Sequence, residues 1–143
     1  MRGKTRELLS QVPLFSACTG EELDRIARLA KRVSAGAGET FMEEGQPGGA
    51  FYVIERGTAS VSLDRKELAR LADGDFFGEM ALIDQGPRSA TVQAQSDMEL
   101  WMIEPSDFDQ LLDDVPFVAR QILRVLSNRL RALEGAPQYQ WNR

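Results

Sequence analysis

A chain of 143 residues with 43% hydrophobic and 27% charged side chains is long enough to close one core and too apolar to remain disordered. Its net charge of −5 disfavours nonspecific attraction to nucleic acid or an anionic membrane, and no apolar run approaches the roughly 18 residues that a membrane span needs. Histidine is absent, which removes it as metal ligand, general base or triad member and excludes most hydrolase and metalloenzyme readings.

The basic start, Met1 to Arg6, runs into Glu7-Leu8-Leu9-Ser10 with no apolar stretch behind it, so no signal peptide is expected. Cys18 stands alone, which forbids an intrachain disulfide and fits a reducing, cytoplasmic setting. Residues 6–31 read as helical, broken by Val12-Pro13-Leu14-Phe15 into a short leading helix and a second one. Thr19 and Glu22 match a capping box, in which each side chain satisfies a free amide of the other's backbone. Leu23, Ile26, Ala27 and Ala30 then recur at helical spacing.

Residues 33–103 are different in kind. Short runs rich in Val, Phe, Tyr and Thr alternate with glycines, as in an all-β block. Strands are expected at Thr40-Phe41-Met42, Ala50 to Ile54, Ala59 to Leu63, Leu68 to Leu71, Ser89 to Ala94 and Glu99 to Ile103. Asp64-Arg65 reads as the tight connection of one hairpin. Many short strands at this spacing predict a sandwich or barrel.

Residues 106–134 return to helix. Ser106 is the candidate N-cap of a helix over Asp107 to Leu112, and Pro116 opens a longer one over Phe117 to Leu133. Ala119, Ile122, Leu123, Leu126, Leu130 and Leu133, widened by Val118 and Val125, form its expected apolar stripe. Arg120, Arg124 and Arg131 fall on the other face. Gly135-Ala136-Pro137 ends the helix. The tail carries Tyr139 and Trp141 with no evident partner. A single domain over 1–143 is therefore expected: helices over 6–31, a β block over 33–103 and helices over 106–134.

The segment that carries chemistry runs from Phe76 to Val92. It reads as strand, glycine, one short turn of helix, tight loop, arginine and strand. Gly78 permits close backbone approach, and the helix N-terminus behind it offers unpaired N–H groups to an anion. Arg88 enters a strand of small and β-branched residues, where its planar fork suits a phosphate.

Phe77-Gly78-Glu79-Met80-Ala81-Leu82 followed by Pro87-Arg88-Ser89-Ala90-Thr91-Val92 resembles the phosphate-binding cassette of the cyclic nucleotide-binding domain family. Gly36 to Thr40, Glu44 to Gly48, Phe51 to Gly57 and Val12 to Phe15 extend the likeness over nearly the whole chain. The resemblance implies an α+β fold. Its β-roll, or jelly-roll barrel, has about eight antiparallel strands, flanked by N-terminal helices and a C-terminal helix pair. It also implies cAMP or cGMP as regulatory ligand, with cAMP favoured, and an effector that the sequence does not identify; the lack of histidine, the acidic net charge and the missing helix-turn-helix lead to the expectation of no metal and no nucleic acid partner for this chain. Residue by residue, Arg88 would pair with the cyclic phosphate and Glu79 would accept from the ribose 2′-hydroxyl. The backbone around Gly78, Ala81 and Leu82 would face phosphate and ribose, with Phe77, Met80 and Ala90 beside them. Ser89 would touch phosphate or base. Val61, Leu68 and Leu71 would line the purine, and Arg129, Leu130 and Leu133 would belong to a closing lid.

Each signal has a plainer reading. Arg88 alone reads as a salt-bridged surface arginine, Glu79 as a helix N-terminal carboxylate, and Val61, Leu68 and Leu71 as core. The arginines of the last helix read as a solvated face, and its apolar stripe as packing, or as a homodimer or partner surface. Three other functions compete with a sensor. A truncated catabolite-activator-type regulator needs a helix-turn-helix that the residues after Leu133 do not supply. A cupin-type metalloenzyme needs metal-ligating histidines. A non-binding interaction module of the same fold would not need the cassette. Nothing in the cassette supplies a base or a metal, so a binding site and not an active site is expected.

Overall fold

The computed structural model describes residues 2–84 and 86–135; Tyr139 and Trp141 lie outside them. Helix α1 (Arg2–Ser10) leads through a 3-10 turn (Pro13–Phe15) to α2 (Gly20–Leu29). The capping box is present: Thr19 Oγ1 accepts from the Glu22 N–H at 3.1 Å, and the Thr19 N–H donates to Glu22 Oε1 at 2.8 Å. Eight strands follow: β1 (Ala30–Ala35), β2 (Thr40–Met42), β3 (Phe51–Arg56), β4 (Ala59–Leu63), β5 (Lys66–Leu71), β6 (Phe76–Phe77), β7 (Thr91–Ala94) and β8 (Met98–Ile103). Helix α3 (Glu79–Asp84) interrupts them between β6 and β7, and α4 (Pro105–Asp114) and α5 (Pro116–Leu133) close the described chain.

The strands form two antiparallel sheets in the orders β1-β8-β3-β6 and β2-β7-β4-β5. This is the α+β roll expected from the sequence. Sheet β1-β8-β3-β6 is buried on both sides, because successive side chains alternate. Phe51, Val53, Phe76, Trp101 and Ile103 join Leu9, Phe15, Ile26, Phe108 and Val118 in a core beneath the helices. Ile54, Phe77, Met98 and Leu100 face the other way and meet Val61, Leu71, Val92 and Ala94 inside the roll. The two-residue strand β6 thus sends Phe76 to the helical core and Phe77 to the roll.

Beyond shifts of one or two residues at strand and helix ends, three features differ from the sequence reading. Ala30 and Lys31 open β1 instead of ending a helix, since Ala30 to Ala35 pair with Ile103 to Met98 along β8. That six-residue register with β8 outweighs a local helical tendency. Ser106 does not cap α4: Glu104 holds the N-cap position, and Pro105, lacking an N–H, begins the helix. The apolar stripe of α5 is the third. Val118 and Ile122 are buried, but Leu123, Leu130 and Leu133 are exposed, while Arg129 turns inward and is buried.

The hairpin between β4 and β5 turns through Asp64 (φ 51°) and Arg65 (φ 67°), both in the left-handed region. The Asp64 N–H donates to both oxygens of the Glu44 carboxylate, at 3.1 and 3.2 Å. A left-handed L-residue costs roughly 1–2 kcal/mol, and Asn-Gly suits such a two-residue turn. The double change Asp64→Asn, Arg65→Gly is therefore expected to stabilise the fold by about 1 kcal/mol. A thermal melt no higher than the parent's would contradict it. Among the described residues no helix is long and apolar enough to cross a membrane.

Candidate ligand site

The site is assembled where β6 ends. Pairing of Tyr52 with Phe77 and Val53 with Phe76 docks β6 on β3, and Gly78 then turns the chain into α3 with φ at 93°. A β-carbon at Gly78 would stand 2.6 Å from the Ala50 carbonyl oxygen and 3.0 Å from Arg88 Nη1. Only glycine fits so close an approach.

Arg88 is 3% exposed. Its Nη1 donates to the Gly78 carbonyl and its Nη2 to the Ala50 carbonyl, each at 2.9 Å. Its backbone is clamped as well: the Arg88 N–H donates to the Gln46 carbonyl and the Gly45 N–H to the Arg88 carbonyl, both at 2.9 Å. The guanidinium is therefore aimed by two strand-end carbonyls, with no carboxylate paired to it among the described residues. Burial lowers its pKa, with Tyr52 and Glu79 acting against the shift, and an arginine stays cationic at neutral pH regardless.

Glu79, 3% exposed, is the first residue of α3. Its Oε1 accepts from Arg129 Nη1 at 3.1 Å, and Arg129 Nη2 donates to the Phe76 carbonyl at 3.0 Å. The Arg129 guanidinium also lies 5.0 Å from the centroid of the Phe76 ring. Burial raises the Glu79 pKa above the ordinary carboxylate range; Arg129, the residue's own backbone N–H and Arg88 pull the other way. Helix α5 is thus tied to the cassette by a buried ion pair that the sequence pattern did not reveal as such.

These groups stand at one end of a cavity of about 410 Å³, within the range of small-molecule sites. Gly78, Glu79, Arg88, Ser89 and Ala90 line the polar end. Val61, Leu68 and Leu71, the residues proposed for the purine, are in the lining, together with Phe77 and with Met42, Leu63 and Val92, which the sequence reading did not assign to the ligand. Leu126, Arg129, Leu130 and Leu133 come from α5, and Met80 completes the lining. Ser89 Oγ lies 3.6 Å from Met80 Sδ.

For Ala81 and Leu82 the expectation concerns the backbone. The Leu82 side chain is half-buried against the helical core and is not part of the cavity lining. Ala81 lies within α3. Conversely, Gly49 and Ala50 aim Arg88, although they looked like turn punctuation and a strand start. Nothing local marks them, because Arg88 is almost forty positions further along the chain. No group of three or more His, Cys, Asp or Glu side chains among the described residues is placed to hold a metal ion.

A double-sheet roll with a deep apolar cavity, closed at one end by a buried cation and a buried carboxylate, defines a small-ligand receptor domain. The chain belongs to the cyclic nucleotide-binding domain family, whose sequence profile matches residues 32–115. It is 36% identical over 117 residues to a cAMP-dependent protein kinase regulatory subunit of Colletotrichum orbiculare, covering 80% of this chain and 30% of that protein. Among solved structures it is similar to a cAMP-bound regulatory fragment, PfPKA-R (141-441), with TM-score 0.78, 29% identity and coverage of 88% of this chain and 44% of that one. The catabolite activator protein of Thermus thermophilus aligns with TM-score 0.75 and 31% identity over 85% of this chain and 60% of its own. The chain thus spans only about 30% of the curated relative's length.

Proposed function

We propose that this chain is a non-catalytic cyclic nucleotide receptor acting as one domain, with cAMP preferred over cGMP and occupancy relayed through α5. The observation that carries the reading is the Arg88 guanidinium, buried, aimed by two carbonyls and free of any carboxylate contact closer than 4 Å among the described residues. A cyclic phosphodiester bears one negative charge, and one fixed cation answers it without a metal. Glu79 lies beside it and accepts from the ribose 2′-hydroxyl in this assignment, while Ser89 meets the phosphate or the base. Val61, Leu68 and Leu71 contact the purine, and Leu130 and Leu133 cover it from α5.

The preference for cAMP follows from the wall. Beyond Ser89 and Arg129 the base end is lined by leucine, valine and methionine. Guanine brings more hydrogen-bonding groups than adenine, and an unmatched polar group costs roughly 1–3 kcal/mol to bury. The support for a relay is the Arg129–Glu79 pair, which joins α5 to the residue assigned to ribose. A nucleotide that competes for Glu79 shifts the balance of α5 positions, because it binds one of them more tightly.

Calorimetric titration with cAMP, cGMP and linear 5′-AMP tests this. The expected order is cAMP, then cGMP, then 5′-AMP, with cAMP recovered intact after incubation. Failure of both cyclic nucleotides to bind, or hydrolysis of cAMP, would overturn the assignment.

A further inference from the structure

Helix α5 has an outer face that the nucleotide reading uses only in part, through Leu130 and Leu133. Between Pro116 and Leu133 it carries Arg120, Arg124, Arg129 and Arg131 and no acidic residue, in a chain whose net charge is −5. Arg129 is turned inward to Glu79. Arg120 and Arg124 are exposed and make no ion pair among the described residues. Beside them runs an apolar row that the fold leaves in solvent: Leu123, Leu130 and Leu133 are 64%, 59% and 65% exposed. At 100° per residue the leucines form one strip and the arginines its outer border.

From this we infer that the outer face of α5 docks an acidic amphipathic helix of a partner protein. Its leucines would lie on the exposed row and its carboxylates against Arg120 and Arg124. Charge complementarity selects this occupant. A second copy of α5 offers no carboxylate from Pro116 to Leu133, so self-pairing sets arginine borders together without an answering charge. A flat anionic membrane would also meet the acidic remainder of the chain, including exposed Asp109 and Asp113 on neighbouring α4, whereas a single helix can follow the strip alone.

The face is coupled to the cavity. Leu130 and Leu133 belong to the cavity lining as well as to the exposed row. A purine that draws them over itself removes them from the docking face, so nucleotide and partner oppose each other, by the same factor in both directions. This coupling rests on the cyclic nucleotide reading; the docking face does not.

The test uses the whole chain and a synthetic peptide of about five helical turns, with leucine at i, i+3, i+4 and i+7 and glutamate elsewhere. A scrambled peptide and phosphatidylglycerol vesicles serve as comparisons. Fluorescence anisotropy should show binding of the patterned peptide over the scrambled one, weakened at high salt. The double variant Arg120→Glu, Arg124→Glu should lose binding at least tenfold, and Leu123→Ala should weaken it, while both keep the parent's affinity for cAMP by calorimetry. Saturating cAMP should weaken peptide binding about fivefold or more. The docking inference is overturned by equal binding of both peptides, by indifference to charge reversal, by preference for vesicles, or by sedimentation showing a dimer that Leu123→Ala disperses. Peptide binding that ignores cAMP overturns the coupling alone, and absence of cAMP binding with the peptide still bound overturns only the receptor reading.

Discussion

Replacing Arg88 with alanine is expected to weaken cAMP binding by about 10²- to 10⁴-fold, which is the roughly 3–5 kcal/mol cost of leaving a buried ion without its partner. Among the described residues that line the cavity, Arg129 is the one other cation, and it is engaged by Glu79 and the Phe76 carbonyl. The substitution also leaves the carbonyls of Gly78 and Ala50 without their donors. An unmet buried acceptor costs roughly 1–3 kcal/mol, so the melting temperature should fall too. Arg88→Lys separates the two effects. It keeps the charge but cannot span both carbonyls with a fixed fork, so its affinity should lie between parent and alanine variant. A folded Arg88→Ala protein with the parent's dissociation constant would remove the basis of the assignment.

Gly49→Ala should be nearly as damaging, although residue 49 is given no ligand contact. Gly49 has φ at 95°, and a β-carbon there would overlap Arg88 Nη2 and lie 2.8 Å from its Cζ. The guanidinium would have to leave its two carbonyls. Backbone strain adds about 1–3 kcal/mol. Its neighbour is the control: Gly48 also has positive φ, at 71°, but a β-carbon there meets nothing within 4 Å. Gly48→Ala is expected to cost stability of about 1–2 kcal/mol and leave cAMP affinity unchanged. Gly49→Ala should lose both. Melting curves and calorimetry on the pair decide it, and equal affinity in the two variants would show that Arg88 is not held from this side.

The cassette was legible because its parts are adjacent in sequence. Gly78, Glu79 and Arg88 fall within eleven positions, and each has a chemical reason for its type: close approach, a carboxylate and a planar cation. The capping box at Thr19 and Glu22 was legible for the same reason. Strand β1 was not. Ala30 and Lys31 carry on the helical spacing of α2, and no strand pattern marks Arg32 to Ala35; the segment becomes a strand through its ladder with β8, some seventy residues away. Helix α5 was half legible. Its span was correct from Pro116 onward, but an apolar stripe says only which residues share a face, and not which neighbour covers it. Arg129 is buried because Glu79, Phe76 and the Phe76 carbonyl offer it an ion pair, a ring and an acceptor together.

Composition and local order alone thus determined helices on either side of a β block without histidine chemistry, and a glycine–glutamate–arginine cassette suited to a small anion; the roll itself was implied by the family resemblance. Tertiary structure alone decided which carbonyls aim Arg88, which leucines stay in water and that Arg129 and not its neighbours closes on Glu79. Local rules act on residues within a turn or a strand of one another. These three choices depend on groups brought together from β3, β6 and α5, and only the packed chain sets those distances.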